Sequence, residues 1–126
     1  MIEHQKPFFS LFDNSKANKK HFRWGILLVE CLKTIVPQLP TQIEVVDYEV
    51  IPDLTGGSYG MQVWFICATE EARNLFNRET QASAAITLRE EMTRRGFPKS
   101  AVVSLRTAVT SRPEIERGGG RFLFFR

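Results

Sequence analysis

The amino-acid sequence predicts an α+β fold with the element order helix-strand-strand-helix-strand-strand, arranged as a four-stranded, mainly antiparallel sheet with two helices on one face. Three features predict this fold class. Some stretches repeat apolar residues at helical three- and four-residue spacings, others alternate apolar and polar residues as strands do, and proline or glycine clusters separate them. The proline and glycine positions that separate these elements also match between the two halves of the chain, which suggests a pseudo-repeat.

The length and composition fit one domain, residues 1–126, in which residues 1–14 form an irregular N-terminal arm. The 10 Phe, 2 Trp and 2 Tyr make the chain too apolar for a disordered protein. The longest apolar run, Ile26–Val29, is far too short to cross a bilayer, and the N-terminus lacks the pattern of a secretion signal. The sequence therefore predicts a cytoplasmic protein without membrane contact.

The first half of the chain supplies one helix and two strands. The helix takes Asn14 or Ser15 as its cap and runs to Val36, before a proline. Residues 42–51 are rich in β-branched side chains. The alternation of apolar and polar residues changes phase within this run, which predicts a β-bulge. Residues 59–68 are apolar in both phases, so this strand is predicted to be central.

The second half repeats this order. Thr69 is predicted to cap a helix that is broken near Thr80 and ended by Gly96. The next strand is predicted over Ser100–Thr110. After a run of three glycines, interpreted as a hairpin turn, the last strand is predicted over Arg121–Arg126.

Charge is unevenly distributed along the chain, although the total is +3 and the pI about 9.1. Residues 1–24 carry a net +3, residues 25–93 a net −6 and residues 94–126 a net +6. A basic end attracts either phosphates or an acidic protein surface. The favoured interpretation is that these regions are solvated faces and that the acidic middle pairs in part with the basic ends.

The sequence predicts no cofactor and no metal site. Cys31 and Cys67 lie in apolar stretches and are predicted to be buried thiols, and with only His4 and His21 beside them no zinc ligand set can form. The glycine-rich segments lead into strands rather than helices, which argues against a phosphate loop. A metal held by carboxylates stays an open alternative.

The residues that could carry catalysis are few. His21 stands between basic residues that would lower its pKa, so a catalytic base is not expected there. Asp47 and Glu49 share one face of a strand and could act as a hydrolytic pair. Acids on an edge strand more often prevent sheet-to-sheet association, and we favour that role. The sequence therefore predicts that the protein is not an enzyme.

Recognition residues are predicted on the sheet face that the helices leave open. If Met61 faces the helices, Gln62 and Trp64 face the other way. Ser104 and Arg106 are then their neighbours on the next strand. The alternative is that the N-terminal arm covers this face and makes Trp64 a core residue. The predicted partner-binding residues are Gln62, Trp64, Arg94, Arg95, Lys99, Ser104, Arg106 and Arg121.

Four stretches of the second half carry a resemblance to a known family. They are a strand at Gly60–Phe65, an acidic helix start at Thr69–Ala72, a Gly-aromatic-Pro stop at Arg95–Pro98, and the Ser-x-x-Glu-x-x-Arg stretch Ser111–Arg117 before a glycine and an aromatic segment. About half of the chain thus resembles bacterial immunity proteins, the antidotes encoded beside contact-dependent-inhibition and other polymorphic toxins. These motifs mark where helices and strands begin and end, and they imply no site residues.

The resemblance implies an inhibitor that neutralises a cognate toxin protein by occluding it. The basic pI departs from the acidic character usual in antidotes to nuclease toxins, so that toxin class is not implied. The alternative function is a small basic RNA- or DNA-binding domain, since residues 117–126 mix arginine with aromatic side chains. That function would use Arg94, Arg95, Lys99, Arg106 and Arg121, provided that they converge.

Overall fold

The computed structural model of the protein describes residues 16–52 and 60–125, with side chains from residue 23 onwards. The predicted N-terminal arm, residues 1–14, and the predicted helix caps Asn14 and Ser15 lie outside the described residues. Within the described residues the protein has an α+β fold, as the sequence predicted.

Two short 3-10 helices, Val36–Gln38 and Thr41–Ile43, connect the first helix to the first strand. The helices and strands of the described residues are, in chain order, α1 (Lys16–Ile35), β1 (Val45–Pro52), β2 (Met61–Cys67), α2 (Glu70–Leu75), α3 (Arg78–Arg94), α4 (Lys99–Ser104), β3 (Arg106–Ser111), α5 (Arg112–Arg117) and α6 (Arg121–Phe124).

The described strands form one sheet in the order β1-β2-β3, in which β1 is antiparallel and β3 parallel to the central strand β2. The prediction that the strand over residues 59–68 is central is confirmed. The predicted bulge is also present, since the register between β1 and β2 shifts between Val45 and Asp47. A parallel pair requires a long crossover, and α2, α3 and α4 form it.

The predicted four-stranded, mainly antiparallel sheet is wrong, because the described residues form a three-stranded mixed sheet. The strand predicted over Ser100–Thr110 begins only at Arg106, after α4. The strand predicted over Arg121–Arg126 is a helix as far as Phe124. Four consecutive apolar residues, 122–125, fit extended and helical patterns equally, so the local pattern did not discriminate between them. The pseudo-repeat is lost with this strand.

The main core lies between the sheet and the helices α1 and α3. Leu28 and Leu32 of α1 and Leu88 of α3 are fully buried, and they belong to the same cluster as Val63 and Phe65 of β2. Their helical spacing gives each helix one apolar face, and burying that face against the sheet provides most of the stabilisation.

The helices α2 and α3 of the crossover begin where a side chain accepts a hydrogen bond from a backbone N–H, and the long helix α3 ends at a glycine. Thr69 caps α2 as predicted, since its Oγ1 accepts a hydrogen bond from the Ala72 N–H at 3.0 Å. The predicted break occurs at Asn77 rather than Thr80, and Asn77 Oδ1 accepts from the Thr80 N–H at 3.0 Å. The chain leaves α3 through Gly96, which has a φ of +88°.

A glycine turn at residues 118–120 reverses the chain between α5 and α6. The Gly119 N–H donates to the Glu116 carbonyl at 3.2 Å and the Gly120 N–H to the Ile115 carbonyl at 3.0 Å, which are the two bonds of a Schellman motif. Gly119 and Gly120 have φ values of +94° and +91°. The predicted hairpin is therefore a helix-to-helix turn. It directs α6, which was not predicted as a helix, onto the sheet face opposite α1 and α3, so the face that was predicted to be open carries a short helix.

Candidate partner-binding surface

The sheet face opposite α1 and α3, called here the second sheet face, contains the predicted recognition residues of β2. Because side chains alternate along a strand, Val63 and Phe65 point into the main core while Gln62 and Trp64 point the other way. The strand register places three rows of neighbours across this face, namely Ile51–Gln62–Arg106, Glu49–Trp64–Ala108 and Asp47–Ile66–Thr110.

Arg121, the first residue of α6, binds β1 from this face. Its Nε donates to Glu49 Oε1 at 2.7 Å and its Nη1 donates to Asp47 Oδ2 at 2.8 Å. Its Nη2 donates to the Tyr48 carbonyl at 2.8 Å. Because Glu49 is only 4% exposed, its carboxylate depends on the guanidinium for compensation. These bonds fasten the last described helix to the first strand.

The same contacts occupy the outer edge of β1. The Tyr48 N–H donates to Asp47 Oδ1 at 2.8 Å, and the Tyr48 carbonyl accepts from Arg121, so both backbone polar groups of this residue are paired with side chains. An edge residue that is occupied in this way does not template another strand. Both Asp47 and Glu49, for which the sequence favoured a role in preventing sheet-to-sheet association, are thus bound by Arg121 beside the edge of the sheet.

Aromatic rings extend this attachment towards the middle of the face. The Trp64 ring meets Phe124 at a centroid distance of 5.7 Å and Phe125 at 5.5 Å, both edge to face. Its indole N–H donates to Gln62 Oε1 at 3.1 Å. Trp64 is half-buried under the C-terminal residues, and its alternative cover, the N-terminal arm, lies outside the described residues.

The other two apolar residues of α6 face outwards. Phe122 is 65% exposed and Leu123 is 51% exposed, while Arg121 and Phe124 attach the same helix to the sheet. The four-residue helix therefore presents an aromatic and an aliphatic side chain from a fixed base. Neither residue was predicted as a recognition candidate, because the apolar run 122–125 predicted a buried strand.

Of the predicted partner-binding residues, Gln62, Trp64, Arg106 and Arg121 come together on the second sheet face. Ser104 does not join them. It ends α4, and its Oγ donates to the Ala101 carbonyl at 3.4 Å, so the prediction that it neighbours Gln62 on a strand is wrong.

Arg94, Arg95 and Lys99 lie at the α3–α4 junction, on the helix side of the sheet. Arg95 Nε donates to Glu91 Oε2 at 2.6 Å, and Arg94 pairs with the other carboxylate oxygen. The Arg95 guanidinium also donates to Thr34 Oγ1 of α1 at 2.8 Å. Glu91 is 2% exposed, so both arginines neutralise a buried carboxylate. They do not converge with the residues of the second sheet face.

The acidic middle and the basic end of the chain pair extensively. Arg94 and Arg95 bind Glu91, and Arg117 binds Glu70. Arg121 binds Asp47 and Glu49 in the same way. The predicted pairing between these regions is therefore present, and it occupies four of the eight Lys and Arg side chains of residues 94–126.

The Ser-x-x-Glu-x-x-Arg stretch that carries the family resemblance has a local structural explanation. Ser111 caps α5, since its Oγ accepts from the Glu114 N–H at 3.3 Å. Glu114 Oε1 accepts from the Ser111 and Thr110 hydroxyls, each at 3.2 Å, and lies 3.4 Å from Arg73 Nε. Arg117 pairs with Glu70, which ties α5 to α2.

The thiols offer no activated nucleophile. Cys31 and Cys67 are both fully buried, as predicted. Burial raises the pKa of Cys31 to about 11 and that of Cys67 to about 11, against an ordinary 9.0, so both are protonated at neutral pH. Across residues 16–52 and 60–125, no three His, Cys, Asp or Glu side chains are grouped so that they could hold a metal ion.

Comparison with protein-family models, curated proteins and solved structures found no match to this chain. Among the helices that the structure describes, none has both the length and the apolar character needed to cross a bilayer. A functional inference therefore rests on the residues of the second sheet face and of α6.

Proposed function

We propose that the chain is a non-enzymatic protein-binding module of the immunity type, which neutralises a cognate bacterial toxin in the cytoplasm by occluding it. The observation that supports this proposal is the exposed pair Phe122 and Leu123 on a helix fastened to the sheet. Exposed apolar and aromatic side chains held in one position are typical of the centres of protein interfaces.

The distribution of ion pairs favours a protein partner over a nucleic acid. Phosphate binding requires cations that are available to the phosphates. Arg94, Arg95, Arg117 and Arg121 instead neutralise acids of the same chain. The RNA- or DNA-binding alternative also needs Arg94 and Arg121 on one surface, whereas they lie on opposite sides of the sheet.

The test uses the C-terminal domain of the polypeptide encoded immediately upstream of this chain's gene, because immunity proteins are encoded beside their toxins. That domain is expressed in bacteria with and without this chain. We expect the domain alone to arrest growth, co-expression to restore growth, and the two purified proteins to form a complex. The proposal is wrong if the upstream domain is harmless or if this chain neither binds it nor restores growth.

A salt titration tests the alternative function. The purified chain is mixed with a labelled single-stranded RNA or a DNA duplex, and binding is followed by fluorescence anisotropy from low to physiological salt. We expect no binding at physiological salt, because the paired arginines contribute little to phosphate contacts. Tight binding that weakens steeply with salt would support the nucleic-acid function and contradict the proposed one.

A further inference from the structure

We draw no further inference here: the strongest candidate, the open groove on the outer side of α3 that is lined by Ile86, Arg89, Glu90 and Thr93, carries nothing, because nothing in the structure shows what covers it.

Discussion

Arg121 and Glu49 lie 72 residues apart in the chain, yet the guanidinium Nε donates to Glu49 Oε1 at 2.7 Å. The carboxylate belongs to a strand residue that is only 4% exposed, and the guanidinium belongs to the first residue of the last described helix. Because a buried carboxylate needs a compensating partner, this contact couples the stability of β1 to the position of α6. The position of α6 and the stability of the folded sheet therefore depend on the same arginine.

Replacing Arg121 with glutamine should destabilise the protein. The substitution leaves the buried Glu49 carboxylate and the Tyr48 carbonyl without the guanidinium. Since the Arg121 side chain is 31% exposed and water can replace part of its contacts, we expect a loss of about 2 kcal/mol in the free energy of unfolding. Urea unfolding followed by circular dichroism measures it.

The control for this prediction is Arg117→Gln, which breaks the ion pair with Glu70. Those side chains are 62% and 45% exposed, so the loss should stay below about 1 kcal/mol. Equal losses in the two variants would contradict the claim that burial of Glu49 makes its ion pair the more important one.

Replacing Gly120 with alanine should loosen α6. At φ +91° and ψ 176° a Cβ atom strains the backbone, which costs about 1–3 kcal/mol, although there is open space for the atom itself. We expect lower stability together with a change in the tryptophan emission, because Phe124 and Phe125 pack on Trp64. Repeating the measurement with Trp24→Phe assigns the change to Trp64, and an unchanged spectrum there would refute the prediction.

The features that the sequence predicts correctly are local ones. Each of them depends on residues only a few positions apart. They are the helix cap Thr69, the helix end at Gly96 and the register shift in β1. The error over Ser100–Thr110 has a long-range cause. Arg89 donates to the Val102 and Leu105 carbonyls at 3.2 and 2.9 Å and so satisfies the end of α4, a contact that no local pattern contains.

Only part of the candidate site was predicted, again because local features are visible in the sequence and long-range contacts are not. Alternation along β2 places Gln62 and Trp64 on the outer face, so the position of these two side chains was predicted from the sequence. The attachment of α6 depends instead on the pairing of Arg121 with Asp47, which lies 74 residues away. A basic residue directly after three glycines, followed by four apolar residues, was the available signal, but it is equally compatible with a terminal strand.

Replacing Glu44 with glycine should stabilise the protein. Glu44 has φ +44° and ψ 53°, the left-handed conformation that costs a side-chain-bearing residue about 1–2 kcal/mol, and its side chain is exposed. Part of this gain is offset by the greater entropy of glycine in the unfolded chain, so we expect a net increase of about 0.5 kcal/mol. Thermal unfolding measures it.

The matched control is Glu44→Ala, which removes the same side chain but retains a Cβ atom. Its stability should remain close to that of the wild type, because the left-handed conformation stays strained. If alanine stabilises the protein as much as glycine does, the effect comes from the loss of the carboxylate and the backbone explanation is wrong.

The two buried thiols should make the protein less stable in alkali. Burial raises the pKa of Cys31 to about 11 and that of Cys67 to about 11, whereas in the unfolded chain each returns towards its ordinary 9.0. Between these values the unfolded state loses protons that the folded state keeps. The stabilisation is therefore fully present below pH 9 and is lost as the pH rises to 11.

Urea unfolding of the wild type and of a Cys31→Ala, Cys67→Ala variant across this range measures the effect. The variant should be less stable at neutral pH because of the cavities it creates, but its stability should fall by about 4 kcal/mol less between pH 9 and 11, about 2 kcal/mol for each thiol. Burial also raises the pKa of Tyr48, but that residue is present in both proteins and its contribution cancels. Parallel curves, or rapid labelling of the folded wild type by a thiol reagent at pH 8, would show that the thiols are not protected as the structure requires.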